Sequence, residues 1–289
     1  MRSILVPVDA SSGSEAALHF GRRLAEKRNV AVHVVHVAAT PPAAARFKDE
    51  FSSRLSEVAD GGLDVTVEAV AASRPDQAII EQSQALDVDA IFMGKHGSRT
   101  TDRLLTYLGA YGQVIGTTAE YVVRTADRPV LLTSPRFVHG PVDIRRILIA
   151  IDFSDYTPSA IRVGRELATL YNAEIEFIHV RNGGTSMLPP EIELESTQVD
   201  FCNFVVRKGQ VDKSVIDRIA ERGVDMLVIH SHGHTSDRRA RLGEMADKLI
   251  RSAPCSVLTI KSFGKALVEP DDSDRQLAAR FFNEIAAAT

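Results

Sequence analysis

Between Met93 and Thr118 the sequence places small, hydroxylated and basic residues directly after the apolar run DAIFMG. Gly94 and Gly97 carry no side chains, so the backbone there can approach a ligand closely and turn with positive φ. Gly116, Thr117 and Thr118 read as the opening of a helix, whose first N–H groups lack partners and whose dipole is positive at that end. Phosphate oxygens suit such a place. The threonine hydroxyls add donors, and Lys95 and Arg99 add charge or simply face water. A second chemical cluster is the run His230, His232 and His234 in VIHSHGH. Its alternation can turn the rings to one side, and histidine is a common metal ligand, zinc above all.

These residues need elements to hold them, and the chain supplies the same set twice. ILVPVD (4–9) returns as ILIAID (147–152), and VAVHVVHV (30–37) as AEIEFIHV (173–180). DAIFMGKHG (89–97) returns as DMLVIHSHG (225–233), and the segment 116–133 as 243–260. The 289 residues therefore divide into a first copy over 1–137, a second over 138–262, and a tail over 263–289. Within each copy, short apolar runs alternate with amphipathic stretches. That pattern predicts parallel βαβ units and an α/β fold of two tandem, doubly wound, five-stranded sheets. Ligands of such sheets sit beyond the carboxyl ends of the strands, where the winding reverses. The tips at Pro7–Asp9, His36–Ala38 and Met93–Gly97 are thus the places for a site.

Composition narrows the function. A net charge of −4 leaves no basic footprint for nucleic acid. No apolar run is long enough to span a membrane. Two cysteines, Cys202 and Cys255, suggest no disulfide framework, and a cytoplasmic setting fits best. The motifs of P-loop ATPases, α/β-hydrolases, zinc proteases and C-x-x-C redox proteins do not occur. No nucleophile–base pair is recognisable, so catalysis is at most a slow hydrolysis of a bound phosphate compound.

The motifs together resemble the universal stress protein family, in particular its ATP-binding branch and its tandem members. That family joins an early strand ending in Asp to a Gly-x-x-Gly, nine residues, then Gly-Ser or Gly-Thr; here VPVD, MGKHG and GTT carry the likeness. The resemblance implies an adenine nucleotide alpha hydrolase-like fold and a site for ATP, or ADP or AMP, with Mg2+ as a possible companion. It would put Pro7 and Asp9 on the adenine, with Val37 packed against it. Met93, Gly94 and His96 would line the ribose and α-phosphate side, and Gly97, Gly116 and Thr117 the outer phosphates, with Thr118 beside them. It also implies a stress-response regulator with an unidentified client protein. The family pairs through fifth strands, which would make the tandem an intramolecular pseudo-dimer open to further homodimer formation.

Both copies depart from the pattern. In the first, eighteen residues rather than nine separate Gly97 from Gly116. The surplus, with Arg103, Tyr107 and Tyr111, either covers a bound nucleotide or folds into the cleft and leaves a nucleotide-free interaction module. In the second, His230 replaces the first glycine and Glu244 the hydroxyl residue. A carboxylate at the phosphate position costs about 1 kcal/mol in water and several in a partly dry cleft, so weak or absent nucleotide binding is expected there. His36 and His179 read as packing residues at strand tips. Cys255 reads as a buried hydrophobe. The tail, with Leu277, Phe281, Phe282 and Ile285 at helical spacing, reads as a helix docked on the fold or on a partner chain.

Overall fold

The computed structural model describes residues 1–58, 62–97, 115–134, 142–181, 202–232, 242–261 and 263–287. The chain divides into two compact units: Met1–Val142 with Phe263–Leu267, and Asp143–Ser262 with Val268–Thr289.

The first unit runs β1 (Ser3–Pro7), α1 (Ser12–Arg28), β2 (Ala31–Ala38), α2 (Pro41–Val58), β3 (Val65–Ala71), α3 (Pro75–Ala85), β4 (Ala90–Gly94), α4 (Thr117–Thr125) and β5 (Val130–Thr133). Its strands lie in the order β3-β2-β1-β4-β5, and every pairing among them is parallel. The winding therefore reverses between β1 and β4, and a crevice opens beyond Pro7 and Gly94. Strands buried on both faces explain the uninterrupted apolar runs: Ile4, Leu5, Val6 and Ile91 are inaccessible to solvent, each contributing about 1.5–3 kcal/mol of burial.

Helix α1 crosses this sheet closely. Ser11 caps it, its Oγ accepting from the Ser14 N–H at 3.1 Å. Ala16, Ala17 and Phe20 face the core. Asn29 ends the helix in the left-handed region (φ 52°), a conformation asparagine tolerates. At the opposite end of the strands, Asp89 accepts from the backbone N–H groups of Arg2 and Ser3. It also meets Lys265 Nζ at 2.8 Å, while the Lys265 N–H donates to Asp127 O at 2.7 Å. The segment 263–267 is thereby held on the first unit.

The second unit repeats the plan with β6 (Arg146–Ala150), α5 (Thr157–Tyr171), β7 (Glu174–Arg181), β8 (Cys202–Lys208), α6 (Val211–Arg222), β9 (Met226–His230), α7 (Glu244–Ser252) and β10 (Ser256–Ile260), followed by α8 (Asp272–Ala287). Its order is β8-β7-β6-β9-β10. Details recur with the repeat: Asn172 ends α5 at φ 55°, and Asp225 accepts from the Arg145 and Arg146 N–H groups at 2.7 and 2.9 Å. The tail helix α8 packs on α5 through Arg162–Asp271 and Arg165–Asp274 ion pairs of 2.8 and 2.9 Å. Phe281 is fully buried, its ring 4.5 Å from Phe204 and 5.2 Å from Phe177. In the first unit the corresponding strand tip is covered from α2, whose Phe47 stacks on His36 at 3.7 Å. In the second, Phe153 lies against both His179 and the Phe282 of α8. Among the described residues, no helix is long and apolar enough to cross a membrane.

Candidate functional site

A cavity of about 570 Å³ opens at the carboxyl ends of β1, β2 and β4 in the first unit. Pro7, Asp9, Val37, Met93, Gly94, His96, Gly97, Gly116, Thr117 and Thr118 all line it. Sequence reasoning overlooked several further lining residues: Ser11 and Ser14 at the start of α1, and Arg74, Asp76 and Ile79 at the start of α3.

The loop from β1 into α1 is held from several sides. Asp9 Oδ1 accepts from the Ser11 Oγ at 2.6 Å and the Ser11 N–H at 3.2 Å. Between them Ala10 sits at φ 61°, a left-handed conformation that costs a non-glycine residue of the order of 1–2 kcal/mol. Phe153 repeats it at φ 59° in the second unit, so the strain belongs to the turn and not to one side chain. His36 Nδ1 donates to Val8 O at 2.7 Å, and His179 does the same to Ile151 O at 3.0 Å. The strand-tip histidines thus pin the carbonyl that precedes each aspartate. Burial chiefly lowers the His179 pKa.

The glycines do a different job from the one their spacing suggests. Neither Gly94 nor Gly97 has positive φ; each is required by contact instead. A Cβ on Gly94 would stand 2.6 Å from the carbonyl carbon of Gly13, and one on Gly13 would stand 2.9 Å from His96 O. The first turn of α1 and the end of β4 therefore touch backbone to backbone, with Thr133 Oγ1 donating to Gly13 O at 2.9 Å as a strut. A Cβ on Gly97 would stand 2.6 Å from Asp9 Oδ2. Gly116 is the exception: a Cβ there meets only ordinary contacts at 3.5 Å and beyond.

Gly116 is the N-cap of α4, at φ −67° and ψ 146°, and as a glycine it offers no side-chain cap to the first N–H groups of that helix. Its own N–H donates to Lys95 O at 2.9 Å. That bond closes the mouth of the long segment 98–115, so the surplus residues leave from and return to adjacent points. The surplus itself, with Arg99, Arg103, Tyr107 and Tyr111, lies outside the described residues. Helix α3 also points its N-terminus at the cavity, and there Asp76 occupies the first turn. Helix α4 likewise has one acidic residue in its first turn, Glu120, and both carboxylates are paired, Asp76 with Arg74 at 2.7 Å and Glu120 with Arg124 at 3.2 Å.

In the second unit, Tyr156 and His230 stand at the positions of Gly13 and Gly94. Their rings lie 5.6 Å apart, and the close backbone crossing is replaced by side chains. Helix α5 accordingly starts at Thr157, two residues later in the repeat than α1 at Ser12. Burial drives the His230 imidazole down to about 4, against the opposing pull of Asp152. Glu244 opens α7 but is exposed and paired with Lys248 at 2.8 Å, so part of its charge is answered locally. Among the described residues, no group of three His, Cys, Asp or Glu is arranged to hold a metal ion. His232 is buried, its Nδ1 3.0 Å from Ser231 Oγ, and His234 lies outside the described residues. Cys255 is a buried free thiol.

Each unit is an α/β fold built on a five-stranded parallel sheet, and in the first a ligand-sized cavity lies at the switch point. The sequence model of the universal stress protein family matches residues 1–134 and 191–261, and the chain belongs to that family. It is 27% identical over 138 residues to universal stress protein A homolog 1 of Coxiella burnetii, a match that covers 40% of this chain and 95% of the relative. Among solved structures, a Pseudomonas aeruginosa UCBPP-PA14 protein assigned to the universal stress proteins is similar over 98% of both chains, with TM-score 0.69 and 18% identity. A universal stress protein of Archaeoglobus fulgidus DSM 4304 is similar over 90% of this chain and 96% of its own, with TM-score 0.62 and 20% identity.

Proposed function

We propose that the first unit binds an adenine nucleotide, ATP or its diphosphate and monophosphate relatives, and that the chain is a nucleotide-responsive stress regulator. The observation that carries this reading is the α4 N-terminus, which has no side-chain cap and opens into the 570 Å³ cavity. Small-molecule sites span roughly 300–1,000 Å³. Phosphates fit at the bare N–H groups of Thr117 and Thr118, and the base fits among Pro7, Asp9 and Val37, where one carboxylate meets apolar walls. The second unit serves as scaffold or partner surface, because Tyr156 and His230 put side chains where Gly13 and Gly94 let α1 and β4 touch backbone to backbone in the first.

The test is to denature the purified full chain, identify any released nucleotide by chromatography, and titrate the nucleotide-free protein with ATP by calorimetry. Micromolar binding that Gly116→Glu abolishes supports the reading. Gly116→Ala is the folding control, because its Cβ meets only ordinary contacts. A protein that neither carries nor binds nucleotide overturns the reading in favour of a nucleotide-free interaction module.

A further inference from the structure

Arg74 is the only Lys or Arg among the described residues that line the cavity. It is the N-cap residue of α3, yet its side chain does not cap the helix. Instead it forks onto Asp76, with Nε 3.1 Å from Oδ1 and Nη2 2.7 Å from Oδ2. Its guanidinium carbon lies 5.4 Å from the centre of the Tyr121 ring. Tyr121 belongs to the second turn of α4, so Arg74 spans from the start of one helix to the flank of the other.

The chemistry of this placement is specific. A guanidinium has five N–H donors, and the fork uses two. Among the described residues the remaining donors meet no acceptor, and they can reach one without breaking the Asp76 pair. Tyr121 lies about one helical turn, roughly 5–6 Å, from the open N–H groups of Thr117 and Thr118. An arginine side chain covers that distance. Asp76 meanwhile keeps anions away from the N-terminus of α3 and holds the planar guanidinium in one orientation.

We propose that Arg74 is a specificity-determining residue that donates to the phosphate chain of the ligand and so selects phosphorylated nucleosides over the bare nucleoside. The proposal rests on nucleotide binding by the first unit. Arg74 closes the phosphate end from the α3 side, opposite the backbone amides of α4. Because it is already paired and stacked at the cavity rim, it loses little conformational freedom when the ligand arrives.

The experiment uses the full chain and measures ATP and adenosine binding by calorimetry for the parent protein, Arg74→Ala and Arg74→Lys. In Arg74→Ala, ATP affinity falls roughly tenfold, in line with one charge-assisted hydrogen bond, while adenosine affinity stays within about twofold. ATP binding also becomes less sensitive to salt, because one exposed cation has been removed. Arg74→Lys recovers part of the loss, since it restores charge but not the fork. Unchanged ATP affinity and salt dependence in Arg74→Ala overturn the proposal, as does an equal loss for adenosine, which would mean a role at the base. If the parent protein binds no ATP, the underlying reading fails with it. If it does, the variants alone decide. Arg74 is largely exposed, and unchanged thermal melting confirms that the substitutions leave the fold intact.

Discussion

Asp9 Oδ2 and Gly97 lie so close that a single methyl group on residue 97 would come within 2.6 Å of the carboxylate. The turn after β1 and the third residue past β4 are thus fitted to one another, and Ser11 holds the aspartate in that place. Gly97→Ala forces Asp9 to rotate off Ser11, at a cost of about 1–3 kcal/mol. The expected result is a fall in melting temperature and at least a tenfold loss of ATP affinity in calorimetry. Retained affinity would show that the observed Asp9 rotamer is not needed for binding.

A second expectation concerns the backbone crossing of α1 and β4. Gly94→Ala puts a methyl group against the Gly13 carbonyl carbon, and neither backbone can yield without moving a helix or a strand. The first unit loses about 2 kcal/mol or more. Gly13→Ala, facing His96 O at 2.9 Å, does the same. Denaturant unfolding monitored by hydrogen exchange should show weakened protection in β1, β4 and α1, with the second unit unchanged.

The second unit should lose stability in mild acid. His230 stays neutral in the folded chain down to about pH 4, whereas in the unfolded chain it takes a proton near 6.5. Between those values the unfolded state binds more protons, so stability falls as pH drops through the window and is complete above 6.5. The full loss is about 3 kcal/mol. His179, also lowered mainly by burial, acts in the same sense. His230→Phe should flatten the dependence of the denaturation midpoint between pH 7 and 4.5. A dependence as steep as in the parent protein would assign it elsewhere.

Removing the ring of Phe281 tests the role of the tail. Phe281→Ala empties a fully buried position between Phe177 and Phe204, for which about 3–5 kcal/mol is typical. Hydrogen exchange should speed up across α8, β7 and β8, and limited proteolysis should release the tail. Protection equal to the parent chain would mean that α8 is an accessory to an already complete core.

Much of the architecture is legible in the sequence because it depends on patterns that lie along the chain. Apolar runs such as Ile4–Val6 mark strands buried on both faces, and matched blocks reveal the repeat without any structure. Contacts between distant segments are different. Gly13 reads as part of a capping sequence, and nothing local says that β4 passes against it. The repeat did carry the signal: Gly13 and Gly94 become Tyr156 and His230 together in the second copy, as expected of two positions that touch. Arg74 gives no such hint, since a lone arginine before a proline looks like any solvated surface residue. Positive φ at Gly94 and Gly97 was a reasonable expectation for glycines at a strand end, and steric exclusion proved to be the reason instead. The tail was readable as amphipathic but not as the cover of β7 and β8, because its partners lie some 70 to 130 residues earlier.

That cover has a consequence for the order in which the protein can mature. The ribosome finishes all five strands of the second unit before it makes α8, so until Phe281 emerges the rings of Phe177 and Phe204 lack their partner and the young unit shows an oily flank. The first unit assembles its sheet much earlier and awaits only Lys265. A nascent second half is therefore the stage of synthesis most exposed to chaperones, and most prone to clumping when translation stalls.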